Sequence, residues 1–544
     1  MRMRVRFLPG CAVALTMAAA TLSAAGPQQQ MQQPKVQSVE PDGTTPLHRA
    51  AQRNDLGTAE RLVRTGANVN AANRYGVTPL SLACINGNAP MIEMLLKAGA
   101  DANSTLPEGE TALMTAANTG NVAALRALLA HGANVNATES SKGQTALMWA
   151  VNKGHTAAAQ TLIEAGADIN ARSKGKFSPM IFAVRGGRIE IVRLLLAKGV
   201  KANDVIAGPA FSAGVQGATT DSTSLVGLAI LNAQYHIAQL LLESGADPNP
   251  SDSRGSLLHT VAWMRRPGSP LAGSNRPDPV GDSLEFAKVL LAHGANPNVR
   301  VAWDEIAFDH DDGEVKSPPN IAAGRDFISM VGATPFFLAA KAGDTALMRV
   351  LVANGADPRL STAQGVTPFM AAAGIGYWNG ETAGPFTGTP ESERLEAVKL
   401  ALDMSGEDVN GVADFGGKLQ FDEDPNNLFF DYSLKYTLDP AVGRRPETAL
   451  GDVRWAGSTA LHGAVITYQL SIIRFLVEKG ARLDARNQLG WTPLMLTQGM
   501  MNAANARFYP EAEALLKQLM VERGMDPAQY GRGGVLTTVV KRTP

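Results

Sequence analysis

Along most of the chain the apolar and polar positions repeat one phrase. A threonine or serine opens a block of about seven mostly apolar residues, a short polar turn follows, and a leucine-rich block of about nine then ends at glycine. The phrase is complete in TALMWAVNKGHTAAAQTLIEAGADIN, residues 145–170. It begins again at Thr45 (TPLHRAA), Thr78 (TPLSLAC), Thr111 (TALMTAA), Ser178 (SPMIFAV), Ser224 (SLVGLAI), Ser256 (SLLHTVA), Thr334 (TPFFLAA), Thr367 (TPFMAAA), Thr459 (TALHGAV) and Thr492 (TPLMLTQ). Most neighbouring starts among these eleven lie 32 to 34 residues apart. A period near 33 marks a stacked array of like units.

Each part of the phrase predicts a local structure. A Thr or Ser hydroxyl at the start can accept from an unpaired amide of a first helical turn. Proline follows at Pro46, Pro79, Pro179, Pro335, Pro368 and Pro493, where a missing N–H costs nothing and a fixed φ suits a helix entrance. Alanine pairs such as Ala50 with Ala51 let a neighbouring helix come close. The second blocks, for example MIEMLLKAG at 91–99 and EIVRLLLAKG at 190–199, carry a wider apolar face and stop at a glycine able to turn left-handed. One pair of such helices cannot cover its own apolar surface, but a stack of pairs can.

These motifs, with closing turns such as GANVN (66–70), GADAN (99–103) and GADPN (245–249), resemble those of ankyrin repeat proteins over roughly residues 44–526, insertions apart. The resemblance implies an all-α solenoid of stacked helix pairs with β-turn fingers, interrupted by long loop insertions. It also implies a role in binding other macromolecules, usually proteins. The family's TPLH histidine ties its turn by hydrogen bonds and stands only at His48, His259 and His462. Ser81, Met114, Met148, Ile181, Gly227, Phe337, Met370 and Met495 replace it elsewhere, so those units should lean on packing.

The ends and the breaks in period set the organisation. Arg2, Arg4 and Arg6, an apolar run from Cys11 to about Leu22, and Ser23, Ala24 and Ala25 have the form of a secretory signal peptide, cleaved near Ala25. A Gln-rich flexible linker is expected over 26–43, one solenoid over 44–530 and a flexible tail over 531–544. Insertions fall at about 204–223, 299–332 and 411–457, where fingers belong, and at 266–282 and 375–394, between the helices of a pair. Loss of the three arginines takes the formal charge from −1 to −4, and no basic stripe emerges, so nucleic acid is not an expected partner. The mature chain has no apolar stretch long enough to span a bilayer, and a periplasmic or secreted monomer is expected. Without Cys11 only Cys84 remains, in the second alanine slot of its unit, so it is read as a small core residue.

Candidate chemistry is sparse. His131 and His293 fall in the last turn before GAN, where an imidazole can meet free carbonyls. His155 sits in an inter-helix turn, His236 near the start of a second helix, and His310 in DEIAFDHDDGEVK, 304–316. That acidic run fails the EF-hand pattern, because the twelfth position from Asp309 is Asn320 rather than Glu. GIGYWNG at 374–380 lacks the strand and lysine of a phosphate cradle. No catalytic residue, metal site or cofactor is assigned.

Binding residues are read from the fifth position of each unit, which the resemblance places on the concave side. Down the array it holds Arg49, Leu82, Thr115, Trp149, Phe182, Leu228, Thr260, Leu338, Ala371, Gly463 and Leu496. Aligned apolar groups on an open face mark an interaction surface. The groove from Leu82 to Leu338, anchored by Trp149 and Phe182, is therefore the expected face for a protein partner. Arg74 and Tyr75 at a finger tip, and Trp491 near another, are further candidates. A second reading is a glycan or small-ligand receptor built by the aromatic-rich insertion 411–457, with Phe415, Phe421, Phe429, Phe430, Tyr432, Tyr436 and Trp455.

Overall fold

The computed structural model describes residues 39–206, 223–250, 255–265, 280–301, 328, 332–376, 389–414, 418–421, 428–431, 455–499 and 508–531. The leader, most of the linker and nearly all of the tail expected above lie outside these residues. The described helices come in pairs. They begin with α1 (Pro46–Gln52) and α2 (Leu56–Arg64), α3 (Pro79–Ile85) and α4 (Ala89–Lys97), α5 (Ala112–Thr119) and α6 (Val122–Ala130), and α7 (Ala146–Lys153) and α8 (Thr156–Glu164). Next come α9 (Pro179–Arg185) and α10 (Ile189–Ala197), α11 (Leu225–Leu231) and α12 (Tyr235–Glu243), and α13 (Leu257–Met264) and α14 (Val280–Ala292). The series closes with α15 (Pro335–Ala342) and α16 (Thr345–Ala353), α17 (Pro368–Ala373) and α18 (Glu391–Ser405), α19 (Ala460–Ile466) and α20 (Leu470–Glu478), and α21 (Pro493–Thr497) and α22 (Pro510–Glu522). Each odd-numbered helix packs on the next odd one and each even-numbered helix on the next even one, without a break. The architecture is an all-α solenoid with loop insertions.

Local chemistry sets the helix starts. Each of the eleven Thr or Ser positions is the N-cap of an odd-numbered helix in extended conformation. In α7 the Thr145 hydroxyl accepts the Met148 N–H. The paired alanines behind the caps are buried, and Cys84 stands among them with no exposed surface. Where the TPLH histidine is replaced, Met114, Met148, Ile181, Phe337, Met370 and Met495 are buried in its place.

The three histidines of that motif link one unit to the next. Thr45 N–H donates to His48 Nδ1 at 3.1 Å, so the ring proton sits on Nε2, which donates to the Val77 carbonyl at 2.9 Å. His259 reaches Ala333 O at 3.0 Å and His462 reaches Trp491 O at 3.1 Å in the same way. Burial pushes the pKa of His259 and of His462 down to about 4, against the smaller opposing effect of the carbonyl bonds. The unfolded chain therefore binds more protons below pH 6.5, the ordinary histidine value. The histidine contribution to stability should be complete above pH 6.5 and fall as pH drops towards 4, by about 1.4 kcal/mol per pH unit per histidine at steepest. Urea unfolding between pH 7 and pH 4 should show that loss, and H259L with H462L should flatten it.

A ladder of asparagines on the other turns also joins neighbours. Asn70 donates Nδ2–H to Gly99 O at 2.9 Å and accepts from Asp101 N. Asn103, Asn136, Asn203, Asn249, Asn298 and Asn410 repeat the double bond onto the next unit. The short turn inside eight of the pairs holds a left-handed residue, supplied by Gly87, Gly120, Gly154, Gly187 and Gly343 in five and by Asn54, Ala233 and Tyr468 in three. Ala233 at φ 54 is strained by its Cβ. Ala233→Gly should therefore raise stability by about 1 kcal/mol, read as a higher urea midpoint.

Insertions leave the stack intact because their bases are pinned. β1 (Val205–Ile206) pairs antiparallel with β2 (Thr223–Ser224) around the first. Val301 N donates to Ala333 O and Gly332 N to Val301 O around the second. Ala413 N donates to Ser458 O and Gly457 N to Ala413 O around the third. Inside the last, β3 (Lys418–Phe421) and β4 (Leu428–Asp431) form an antiparallel hairpin. The two insertions between helices end earlier than the sequence suggested. α14 already starts at Val280 and α18 at Glu391, giving second helices of 13 and 15 residues where nine is usual in the array.

Candidate interaction face

In a helix, residues three and four apart share a face. The fifth position of each unit and the two positions one turn on therefore form the inner surface of the odd-numbered helices. From α1 to α9 that surface is open except at Thr115, the fifth position of α5. Arg49 and Leu82 are half-buried, Ile85 is 54% exposed, and Arg53, Asn86, Thr119, Asn152, Lys153 and Arg185 are exposed. Trp149 and Phe182 are half-buried, with one side packed on the core. Phe177, at the base of the finger ahead of α9, stacks on Phe182 with ring centroids 5.8 Å apart.

From α11 onwards no described residue at these positions is exposed. Leu228 is 1% exposed and belongs to the continuous core, and Leu231, Trp263 and Met264 are buried beside it. Leu338 is 8% exposed, and Lys341 one turn on is buried with Nζ donating to Gly376 O at 3.4 Å. Ile328, from the insertion before α15, packs on the same Gly376, so the chain itself closes the inner face there. Ala371, Gly463 and Leu496 are buried as well.

The expected groove from Leu82 to Leu338 is thus corrected on three residues. Leu228 and Leu338 are core residues. Thr115 is 7% exposed because its hydroxyl turns inward, donating to Glu110 Oε1 at 2.9 Å with Thr111 O also in reach. Thr260 is half-buried against Ser256 O. Leu82, Trp149 and Phe182 remain on open surface. Arg74 and Tyr75 are exposed as expected, with the guanidinium 4.7 Å from its neighbour's ring centroid and donating to the Tyr75 hydroxyl. Trp491 is half-buried, packed on the core, with its carbonyl held by His462, and is a packing residue rather than a tip. Sequence reasoning passed over Ile85, Lys153 and Arg185, although their spacing of three and four from the fifth position was the available signal.

The geometry accords with direct comparison to known proteins. A family model of ankyrin repeats in three copies matches residues 17–106 and 98–173, and a single-repeat model matches 331–363 and 456–488. The chain contains ankyrin repeats. The first matches take in α1 to α8, and the single-repeat ones fall on α15 with α16 and on α19 with α20, between insertions. Human protein phosphatase 1 regulatory subunit 27 is 38% identical over 74 residues, which is 13% of this chain and 47% of that protein. Its mouse counterpart is 36% identical over the same shares. The chain thus spans about half the length of the curated relatives it matches.

Charge distinguishes the fourth and fifth pairs of the open ankyrin face. Lys142, Lys174 and Lys176 are exposed on the fingers ahead of α7 and α9, Lys153 and Arg185 at the last residue of those helices, and Arg188 on the turn behind α9. Stacking of the two fingers, through Lys174 N–H to Lys142 O at 2.8 Å, holds the first group in line. The carboxylate among them, Glu139, is buried. Burial opposes its ionisation, but the N–H groups of Gln144, Lys142 and Ser141 outweigh that and hold its pKa below the ordinary value. The Trp149 indole N–H is buried without an acceptor.

Chemistry is limited on the described ankyrin units. Burial pushes the Cys84 thiol up to about 12, which keeps it protonated and inert. Among the described residues there is no group of three or more His, Cys, Asp or Glu placed to hold a metal, and no helix long and apolar enough to cross a membrane. His131 and His293 meet the carbonyls of Ala127 and Val289, both at 2.9 Å, as their helix-end positions suggested. His310 lies outside the described residues, as do the side chains of the aromatic insertion up to Tyr436. Trp455 from that insertion is buried in the core.

Proposed function

We propose that the chain is a non-enzymatic scaffold, built of eleven ankyrin units, that holds a protein partner on the inner face of its first five helix pairs. The observation that carries this reading is the change along the inner face: apolar and cationic groups open to solvent from α1 to α9, then the same positions filled from α11 onwards. A surface with Ile85 exposed and Leu82, Trp149 and Phe182 half-exposed stands out against units that bury the equivalent apolar residues. With helices about 8–10 Å apart, five pairs offer roughly 40–50 Å of face. The similarity to a phosphatase regulatory subunit supports action through a bound protein. The face anchors are Trp149 and Phe182, with Leu82 and Ile85 beside them and Arg74 and Tyr75 on the finger side.

Export is part of the proposal, supported by the order of charge, apolar run and small residues before residue 26. Its test is the amino-terminal sequence of the protein recovered from its own cells, which should begin just after Ala25; a chain that still carries Met1 contradicts it.

Affinity capture by the full chain tests the face. Alanine at Trp149 and Phe182 should weaken retention of the wild-type partner by at least about thirtyfold, the scale of a buried aromatic anchor. Deletion of 411–457 should leave it bound. Retention after the first change and loss after the second would instead favour the aromatic insertion as the site.

A further inference from the structure

Resting on that assignment of the face, we propose that its occupant is an acidic polypeptide segment with apolar side chains, seated across α7 and α9. The floor is aromatic: Trp149, and Phe182 backed by Phe177. Two cationic rails flank it. Lys142, Lys174 and Lys176 stand at the finger end of the two helices, and Lys153, Arg185 and Arg188 at the turn end. An eight-residue helix is about 12 Å long, so the rails stand about that far apart, wide enough for a single helix or an extended segment between them.

None of the six cations makes an ion pair within hydrogen-bond distance among the described residues. Lys174 Nζ donates to Ser140 O and Arg188 Nη2 to Asn152 O, both carbonyls, and the charge of Lys174 also favours ionisation of the buried Glu139 carboxylate without pairing with it directly. Arg49 on α1 is held by Glu40 at 2.7 Å, and Arg172, on the same finger as Lys174, by Asp204. α7 and α9 themselves carry no carboxylate; exposed ones stand close by in sequence at Asp168, in the turn between α8 and the finger ahead of α9, and at Glu190, in the first turn of α10. Complementary charge fixes the sign of the partner and its register, while the aromatic floor supplies contact area. A nucleic acid would meet the same rails, but the chain as a whole has a formal charge of −1 and no extended basic field to collect a polyanion.

The test is selection of a displayed library of random twelve-residue peptides on the full chain at moderate salt, repeated on K153E/R185E and on W149A/F182A. Peptides rich in Asp and Glu with Leu, Phe or Trp should be enriched on the wild type. Their affinity should fall more than tenfold on K153E/R185E, on W149A/F182A, and when Gln and Asn replace their acids. Neutral or basic peptides whose binding is lost on W149A/F182A would overturn the acidic chemistry and leave the face assignment standing. Enriched peptides indifferent to W149A/F182A would overturn both. A single-stranded oligonucleotide that displaces the peptides at micromolar concentration would overturn the choice of a polypeptide. Circular dichroism of each variant, unchanged from wild type, separates loss of binding from loss of fold.

Discussion

Replacing Arg265 with alanine is expected to uncouple the middle of the solenoid, at a cost of about 3–5 kcal/mol to the units around it. Arg265 follows α13 and is 8% exposed. Its Nε donates to Asp344 Oδ2 at 2.6 Å, its Nη2 to Asp344 Oδ1 at 3.1 Å, and its Nη1 to the Ser283 hydroxyl at 2.9 Å. Asp344 also caps α16 by accepting Leu347 N–H at 3.0 Å. One side chain therefore joins the end of α13, the side of α14 and the start of α16 across two insertions. A bidentate pair of this kind is strong when intact, and its loss leaves a carboxylate sheltered from water without its cation. Arg265→Lys keeps the charge but loses the fork, and should recover only part of the stability. Because stacked units need not unfold together, the readout is hydrogen exchange by segment. Protection should fall in α13 to α16 and stay at wild-type level in α1 to α8; an unchanged α13–α16 would contradict the role given to the pair.

Gly463→Ala should cost about 3 kcal/mol, the upper end for forcing atoms into a packed site. Gly463 is the fifth residue of its unit, and a Cβ there would fall 2.6 Å from Ile375 N and 2.8 Å from Gly374 C. Those are backbone atoms, which cannot swing aside. The reciprocal position is as tight: a Cβ on Gly374 would fall 2.5 Å from Gly463 O, and Gly374 also needs φ 119. α17 and α19 thus approach through their glycines, on either side of the insertion 411–457. Gly57→Ala is the natural control, since Gly57 lies in α2 with only Asp55 Oδ1 near, at 3.9 Å, and ordinary φ. It should be neutral or stabilise by up to about 1 kcal/mol. Urea unfolding followed by segment-resolved exchange should show an early loss of α19 to α22 in Gly463→Ala, and none in Gly57→Ala.

These cases separate what the sequence could reveal from what it could not. Helix starts were legible because the cap is local: Thr145 and Met148 settle the entrance to α7 between them. Finger insertions were legible because they break the period while leaving caps on both sides. The open face was legible only in part. Trp149 and Leu228 stand at equivalent positions and are both large and apolar, yet one meets solvent and the other is buried. What decides between them is what lies over the position, such as Ile328 and Gly376 beside α15, and this is brought there from another part of the chain. Periodicity carries no record of such crossings. Gly463 shows the same limit in reverse, since a small residue in a variable slot marks a close approach that no spacing announces. The cationic rails were missed for a different reason. Lys153 and Arg185 follow the fifth position by four and three residues, but fingers and turns of separate units become one rim only once the stacking is known.

The central claim is that one solenoid presents two kinds of inner face, open from α1 to α9 and filled from α11 onwards. Hydroxyl-radical footprinting of the full chain, read by mass spectrometry residue by residue, tests it most directly. The account predicts strong modification at Leu82, Ile85, Trp149 and Phe182, and protection at Leu228, Trp263, Leu338 and Leu496. Modification of Leu228, Trp263 and Leu338 to the level of Ile85 would contradict it.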